Sequence, residues 1–225
     1  MSKQNVSKQN MSKQNVSKQN VIHRDWDVLL VGGPSGVGKT SVSYRLARHF
    51  DVGITEVDDL YIVLETLTTP EQMPLVHYWQ TKPESVQLSA EDILEHQIAI
   101  GRLMLPALKA VIANHIETQT PVVLDGDFIL PALMAKENTG SHESEFYQLD
   151  RIRAVFLYEP DEAQIVRNYL LREPDEGAQT GRAHVSWLYG EWLQEECVKH
   201  GVLSLPATPW ESVFERIVAG IERQP

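Results

Sequence analysis

Val28-Leu29-Leu30-Val31-Gly32-Gly33-Pro34-Ser35-Gly36-Val37-Gly38-Lys39-Thr40-Ser41 carries the decisive pattern of this chain. Its first four residues form a short, continuously apolar run of the kind a strand needs when both faces are buried in a parallel sheet. From Gly33 to Thr40 the spacing is Gly-x-x-x-x-Gly-Lys-Thr. Glycines at such positions let successive backbone N–H groups curl around phosphate oxygens. The helix expected over 40–50, with Val42, Leu46 and Phe50 on one face, turns its positive dipole end toward the same point. Lys39 is then expected to neutralise the outer phosphates of a nucleoside triphosphate and to act in catalysis, and the Thr40 hydroxyl to ligate magnesium. Gly33, Ser35, Gly36, Val37, Gly38 and Ser41 complete the expected nucleotide contacts.

Working outward, residues 54–57 suit a second strand closed by Asp58-Asp59. Three prolines, Pro70, Pro74 and Pro83, break up residues 60–88 into short helices and loops. Ser89 followed by Glu91-Asp92 signals a helix start, with Pro106 as a bend before its end near 115. Strands are expected over 121–124, 152–158 and 202–205, and helices over 161–171, 184–199 and 211–221. Strands alternating with helices imply an α/β chain with a five-stranded, mainly parallel sheet between two helical layers.

The first twenty residues are four five-residue repeats, MSKQN, VSKQN, MSKQN and VSKQN. Their apolar residue recurs every five positions, a period of neither helix nor strand, so 1–20 reads as a disordered leader and 21–225 as one domain. The formal charge of the chain is -11; the leader holds four lysines and no acid, which leaves -15 on the rest. So acidic a body repels a polyphosphate backbone, and nucleic acid is an unexpected partner. No apolar run approaches membrane-spanning length, and no membrane partner is expected. The single cysteine, Cys197, excludes an internal disulfide and fits a reducing cytoplasm.

A phosphate loop is shared by kinases, GTPases, motors and regulators. No Asn precedes a Lys here, so the guanine-reading Asn-Lys-x-Asp is absent, and no Asp has Gly three positions later. ATP is therefore the expected nucleotide. With these motifs the chain resembles the P-loop kinase superfamily over about residues 27–222. The segment Val57-Asp58-Asp59-Leu60-Tyr61 is similar to the Asp-x-Phe-Tyr segment of uridine kinase-like enzymes, and Val122-Val123-Leu124-Asp125-Gly126 resembles a step of 2-phosphoglycerate kinase-like proteins. The resemblance implies a three-layer α/β/α P-loop NTPase fold. It also implies that Asp58 receives the proton of an attacking hydroxyl and that Pro206-Ala207-Thr208-Pro209-Trp210 forms the adenine-side loop, with Trp210 against the nucleotide. The insert at 66–88 matches none of these patterns.

The chemistry of phosphoryl transfer asks for the same parts. Positioning and charge neutralisation dominate, and a carboxylate at the C-terminal end of a sheet strand faces the crevice where ligands bind. Asp58 suits the acceptor hydroxyl, with a helix-cap role as the alternative. Asp125 suits magnesium, held directly or through water, and Asp127 is either a substrate ligand or a turn residue. Arg167, Arg172 and Arg182 bracket a polar segment, about 172–182, which the resemblance marks as a lid. Arg172, at the helix–lid junction, is the favoured catalytic arginine, with Arg167 and Arg182 as substrate contacts; Glu173, Asp175 and Glu176 are their candidate partners when the lid is open. His77, Tyr78 and Trp79, together with Arg102 and Lys109, are weaker candidates for an acceptor pocket. The expected protein is a monomeric or homodimeric kinase of a small-molecule acceptor. The rival expectation is a nucleotide-binding regulator or toxin-like protein with a macromolecular target, which a flat apolar patch beside Asp58 would favour.

Overall fold

A computed structural model describes residues 24–83, 87–135 and 148–224; the leader expected at 1–20 lies outside them. The order of elements is β1 (Val28–Gly32), α1 (Lys39–Phe50), β2 (Gly53–Glu56), α2 (Val57–Leu67), α3 (Tyr78–Thr81), α4 (Ala90–Glu117), β3 (Val122–Gly126), β4 (Ile152–Tyr158), α5 (Glu162–Arg172), α6 (Thr180–His200), β5 (Leu203–Pro206) and α7 (Trp210–Ile221). The five strands lie in the order β2-β3-β1-β4-β5. Every neighbouring pair is parallel.

Period-two alternation divides the strand side chains between two cores. Leu29, Val31, Val123, Val155 and Leu157 pack with Val42, Leu46, Phe50, Val213 and Ile217 of α1 and α7. Val28, Leu30, Leu124, Ala154 and Phe156 face the other way, against Ile100, Met104, Leu108, Tyr189 and Leu193 of α4 and α6. The result is a three-layer α/β/α sandwich with β1 at the centre of the sheet. A large-to-small change such as Leu30→Ala there costs about 2–5 kcal/mol. Chain reversals on either side of β1 open a crevice at the C-terminal ends of the strands, where ligands of open parallel sheets bind.

The start of α2 and the start of α6 differ most from the sequence reading, whereas the start of α4 agrees with it. Val57, Asp58 and Asp59 do not extend β2 but form the first turn of α2. Acids in a first turn meet the positive helix end, and Val57 is fully buried as the helix starts. At the other long helix Ser89 and Asp92 form a reciprocal capping box, and Pro106 sits inside helical structure that continues to Glu117. Finally, α6 begins at Thr180 rather than 184, so the segment between α5 and α6 shrinks to Glu173–Gln179, with one 3-10 turn at Pro174–Glu176.

Candidate active site

The phosphate loop leaves β1 at Gly33, where a side chain would run into the Leu157 carbonyl oxygen. Gly38 closes the loop with φ 87° as the N-cap of α1, a left-handed conformation that favours glycine. A Cβ there would also stand 2.6 Å from the Trp210 ring, so Trp210 packs directly over the loop. Loop and α1 N-terminus line a cavity of about 570 Å³ whose walls include residues 35–41, Asp58, Asp127, Glu159, Arg172, Thr208 and Trp210.

At its floor lies a network of charges. Lys39, only 6% exposed, donates to the Pro34 carbonyl at 2.9 Å and pairs with Asp127 Oδ1 at 2.6 Å. Burial pulls the ammonium's pKa down, but Asp127 and Asp125 outweigh burial and hold it above its ordinary value. Thr40 Oγ1 donates to Asp125 Oδ2 at 2.8 Å, and Ser43 Oγ donates to Asp125 Oδ1 at 3.1 Å. Asp125 is buried, and that burial raises its pKa. Asp58 Oδ1 accepts the backbone N–H of Asp127 at 3.3 Å. Asp58 reaches solvent across the cavity, yet protein surrounds enough of its carboxyl that burial, followed by the charge of Asp127, raises its pKa to about 6 against the pull of Lys39.

Asp127 is the junction of this network: its side chain holds Lys39, its N–H holds Asp58, and its carbonyl accepts the Tyr189 hydroxyl at 2.7 Å. Tyr189 is fully buried in the core of α6. Lys39, Thr40, Asp58, Asp125 and Asp127 are thereby brought together from α1, α2 and the end of β3.

The arginines expected to flank a lid are placed differently. Arg172 lines the cavity but forms an ion pair with Glu173 at 2.7 Å. Arg182 pairs with the other oxygen of Glu173 at 2.7 Å and lies over the Tyr169 ring. Glu173 is held down to a pKa of about 2, first by the Gln179 amide and then by Arg172. Arg167 pairs with Asp161 at 2.8 Å and is not among the cavity-lining residues. His77 is buried between Thr68 and Gln80, and Tyr78 and Trp79 pack around His96.

Two further residues of the site carry no motif in the sequence. Asn168 Nδ2 donates to the Gly36 carbonyl at 2.7 Å and so ties α5 to the loop. Glu159, at the end of β4, is 3% exposed and accepts from Asp161 N–H and the Thr208 hydroxyl. The only signal that could have found them is position, one helix turn before the end of α5 and one residue past β4.

A central parallel strand, a glycine loop and a helix whose first residue is the loop lysine define a phosphate-loop nucleotide-binding fold. No family model matches the chain. It is similar to a 2-phosphoglycerate kinase of Pyrococcus horikoshii, 26% identical over 168 residues, which make up 64% of this chain and 55% of that protein. It is also similar to a 2-phosphoglycerate kinase of Pyrococcus furiosus, 23% identical over 177 residues, 66% and 56% of the two chains. The chain spans about half the length of these relatives. Among solved structures, a gluconokinase from Sinorhizobium meliloti is 18% identical over 89% of this chain and 94% of that one, with a TM-score of 0.45. A shikimate kinase from Acinetobacter baumannii is 13% identical over 88% and 93%, with a TM-score of 0.47. At these values the fold rests on the sheet order and loop geometry above.

Proposed function

We propose that this protein is an ATP-dependent phosphotransferase that moves the γ-phosphoryl group to a hydroxyl of a small molecule. The observation that carries the reading is the linked set Lys39–Asp127–Asp58 beside Thr40–Asp125 at the mouth of the loop. The cationic and acidic groups of phosphoryl transfer lie within hydrogen-bond reach of one another there. Lys39 and the N–H groups of the loop hold the phosphates. Asp58, with a pKa near 6, is unprotonated at neutral pH and accepts the acceptor's hydroxyl proton. Arg172 stabilises charge on the transferring group once it leaves Glu173. Asp125 accepts the hydrogen bond of the Thr40 hydroxyl, which leaves the lone pairs of Thr40 Oγ1 free for a cation. That suits magnesium, which keeps several water or phosphate ligands and needs few from the protein; when bound it neutralises phosphate charge.

The acceptor class with most support is a phosphorylated hydroxy acid such as 2-phosphoglycerate, through the two Pyrococcus relatives. A cytoplasmic setting goes with this reading; Cys197 is buried and free, and no helix among the described residues is long and apolar enough to cross a membrane. A second reading, a nucleotide-dependent regulator of a macromolecule, is favoured by Ile62, Val63 and Leu67. These are exposed by 55%, 50% and 76% on the helix that carries Asp58. The deciding experiment measures ADP release with ATP, magnesium and a panel of phosphorylated hydroxy acids, sugar acids and nucleosides. Stimulation by one acceptor, with formation of its phosphate ester, is expected. A slow ADP release that no acceptor stimulates refutes the kinase reading.

A further inference from the structure

Helical spacing puts Arg182, Ser186, Tyr189 and Gly190 along one stripe of α6. Each of them meets a part of the site or of the segment beside it. Arg182 pairs with Glu173, and Ser186 shares a 2.9 Å hydrogen bond with the Tyr169 hydroxyl of α5. A Cβ at Gly190 would stand 3.5 Å from Pro34 Cγ, so α6 runs close against the phosphate loop. Tyr189, fully buried, donates its hydroxyl to the Asp127 carbonyl at 2.7 Å. Its ring stacks on Trp192 with centroids 5.8 Å apart, packing that a phenylalanine would serve as well. A buried hydroxyl is costly unless it is bonded, and this one is bonded at the residue that touches both Lys39 and Asp58.

Asp127 is held from two sides. Toward α2 its N–H reaches Asp58 Oδ1 at 3.3 Å, longer than the usual range for such a bond. Toward α6 the bond from Tyr189 is short, at 2.7 Å, and is the firmer of the two. We infer that Tyr189 is a positioning residue of the reaction: by fixing the main chain of Asp127 it aims the Asp127 carboxylate at Lys39 and the Asp127 N–H at Asp58. The inference rests on reading Lys39 and Asp58 as groups of phosphoryl transfer. Pro34, whose carbonyl is the other partner of the Lys39 ammonium, lies against Gly190. Both partners of that ammonium therefore take their places from one turn of α6.

The test compares Tyr189→Phe with the parent, both as full chains, in two measurements. The first needs no ligand. With lysine isotopically labelled at Nζ, nuclear magnetic resonance reports the Lys39 ammonium, identified as the signal missing in Lys39→Ala. Its protons are expected to exchange slowly with water in the parent, where Lys39 is buried and bonded twice. In Tyr189→Phe they should exchange about tenfold or more faster, the factor that loss of one hydrogen bond supports. The second measurement sets ADP release from MgATP beside calorimetric binding of MgADP. The variant's kcat is expected to fall about tenfold or more, while MgADP affinity stays within about twofold because the loop N–H groups are untouched. An ammonium signal identical in the two chains overturns the inference, whatever happens to the melting temperature; Tyr189 is then a core tyrosine and nothing more. Loss of MgADP binding together with kcat also overturns it, as a general loosening of the site. Should Tyr189→Phe not fold, a tyrosine fluorinated beside its hydroxyl, placed at position 189 alone, decides. It keeps the hydroxyl as a stronger donor, and a Lys39 signal that does not move overturns the inference. If the parent releases no ADP with any acceptor, the transfer reading fails on its own, and the ammonium signal still decides whether Tyr189 positions Asp127.

Discussion

Asp58 and Lys39 do opposite things to the fold and to the chemistry. A carboxyl whose pKa is raised from 3.8 to about 6 binds its proton more tightly folded than unfolded. Its stabilising contribution is therefore fully present below the unfolded value and is lost as pH rises through about 6. Catalysis needs the opposite state, since only the unprotonated form accepts a hydroxyl proton. The acid limb of kcat/KM is expected near pH 6 and should vanish in Asp58→Asn, with turnover down by about 10²–10⁴. The same variant should melt higher than the parent at pH 8 and no higher at pH 4. An unchanged pH profile would remove Asp58 from the proton path. Asp59→Asn, outside the network, should keep activity. Lys39 faces Asp127, Asp125 and Asp58, whose charges raise its pKa. Lys39→Ala should abolish transfer and also destabilise the fold by about 3 kcal/mol at pH 7, the low end for breaking a buried pair, since Asp127 keeps 20% exposure. Chemical denaturation at pH 7 and at pH 4 checks this, because protonating the carboxyls should relieve most of the loss.

Among the elements, those with one strong local signal were legible in the sequence. The apolar run of β1, the glycine loop, the Ser89 cap and the run at 152–158 each met their structure within a residue or two. The β2–α2 boundary was not legible, because Ile54, Thr55 and Val57 are β-branched and suit a strand, whereas the burial that turns Val57 into a helix start comes from distant segments. Asp58 still reaches the cavity, but from a helical first turn rather than a strand end. Glu159 and Asn168 were hidden for a related reason: their partners lie 49 and 132 residues away in sequence. The segment between α5 and α6 shows what sequence can and cannot give. Its arginines and Glu173 were visible, but not that Glu173 holds both Arg172 and Arg182. These are exposed pairs, and phosphate competes with such pairs readily. Glu173→Gln should release Arg172 and tighten ATP binding by up to about fivefold, an effect that shrinks with added salt. Arg172→Ala should weaken binding and lower turnover together. If Glu173→Gln binds ATP no better than the parent at low salt, Glu173 is not what holds Arg172 back.

For the molecule as a whole, the loop is tied to the sheet at its centre. β1 pairs with both β3 and β4, so the phosphate loop, Asp125 and Glu159 all lie at the C-terminal ends of adjacent strands. A ligand that bridges these strand ends stabilises the folded chain in proportion to its occupancy, through the mass-action shift of any ligand that prefers the native state. At a free ATP concentration one hundred times Kd the gain is about 2.7 kcal/mol. For a domain of this size each kcal/mol moves the midpoint by about 2–4 °C. MgATP is therefore expected to raise Tm by about 5–10 °C, with ATP alone giving less if magnesium sits between Thr40 and the phosphates. Lys39→Ala should show no rise at the same concentration. The leader is the complementary case. Residues 1–20 carry all four of their charges as lysine and no period that could pack. Deleting them should change neither the parent's midpoint nor the ATP-dependent rise. A midpoint lowered by several degrees on deletion would show that the repeats pack on the body. An intact midpoint with a diminished rise would place their lysines near the bound phosphates instead. Differential scanning of the four combinations, full-length and truncated, with and without MgATP, separates these outcomes in one experiment.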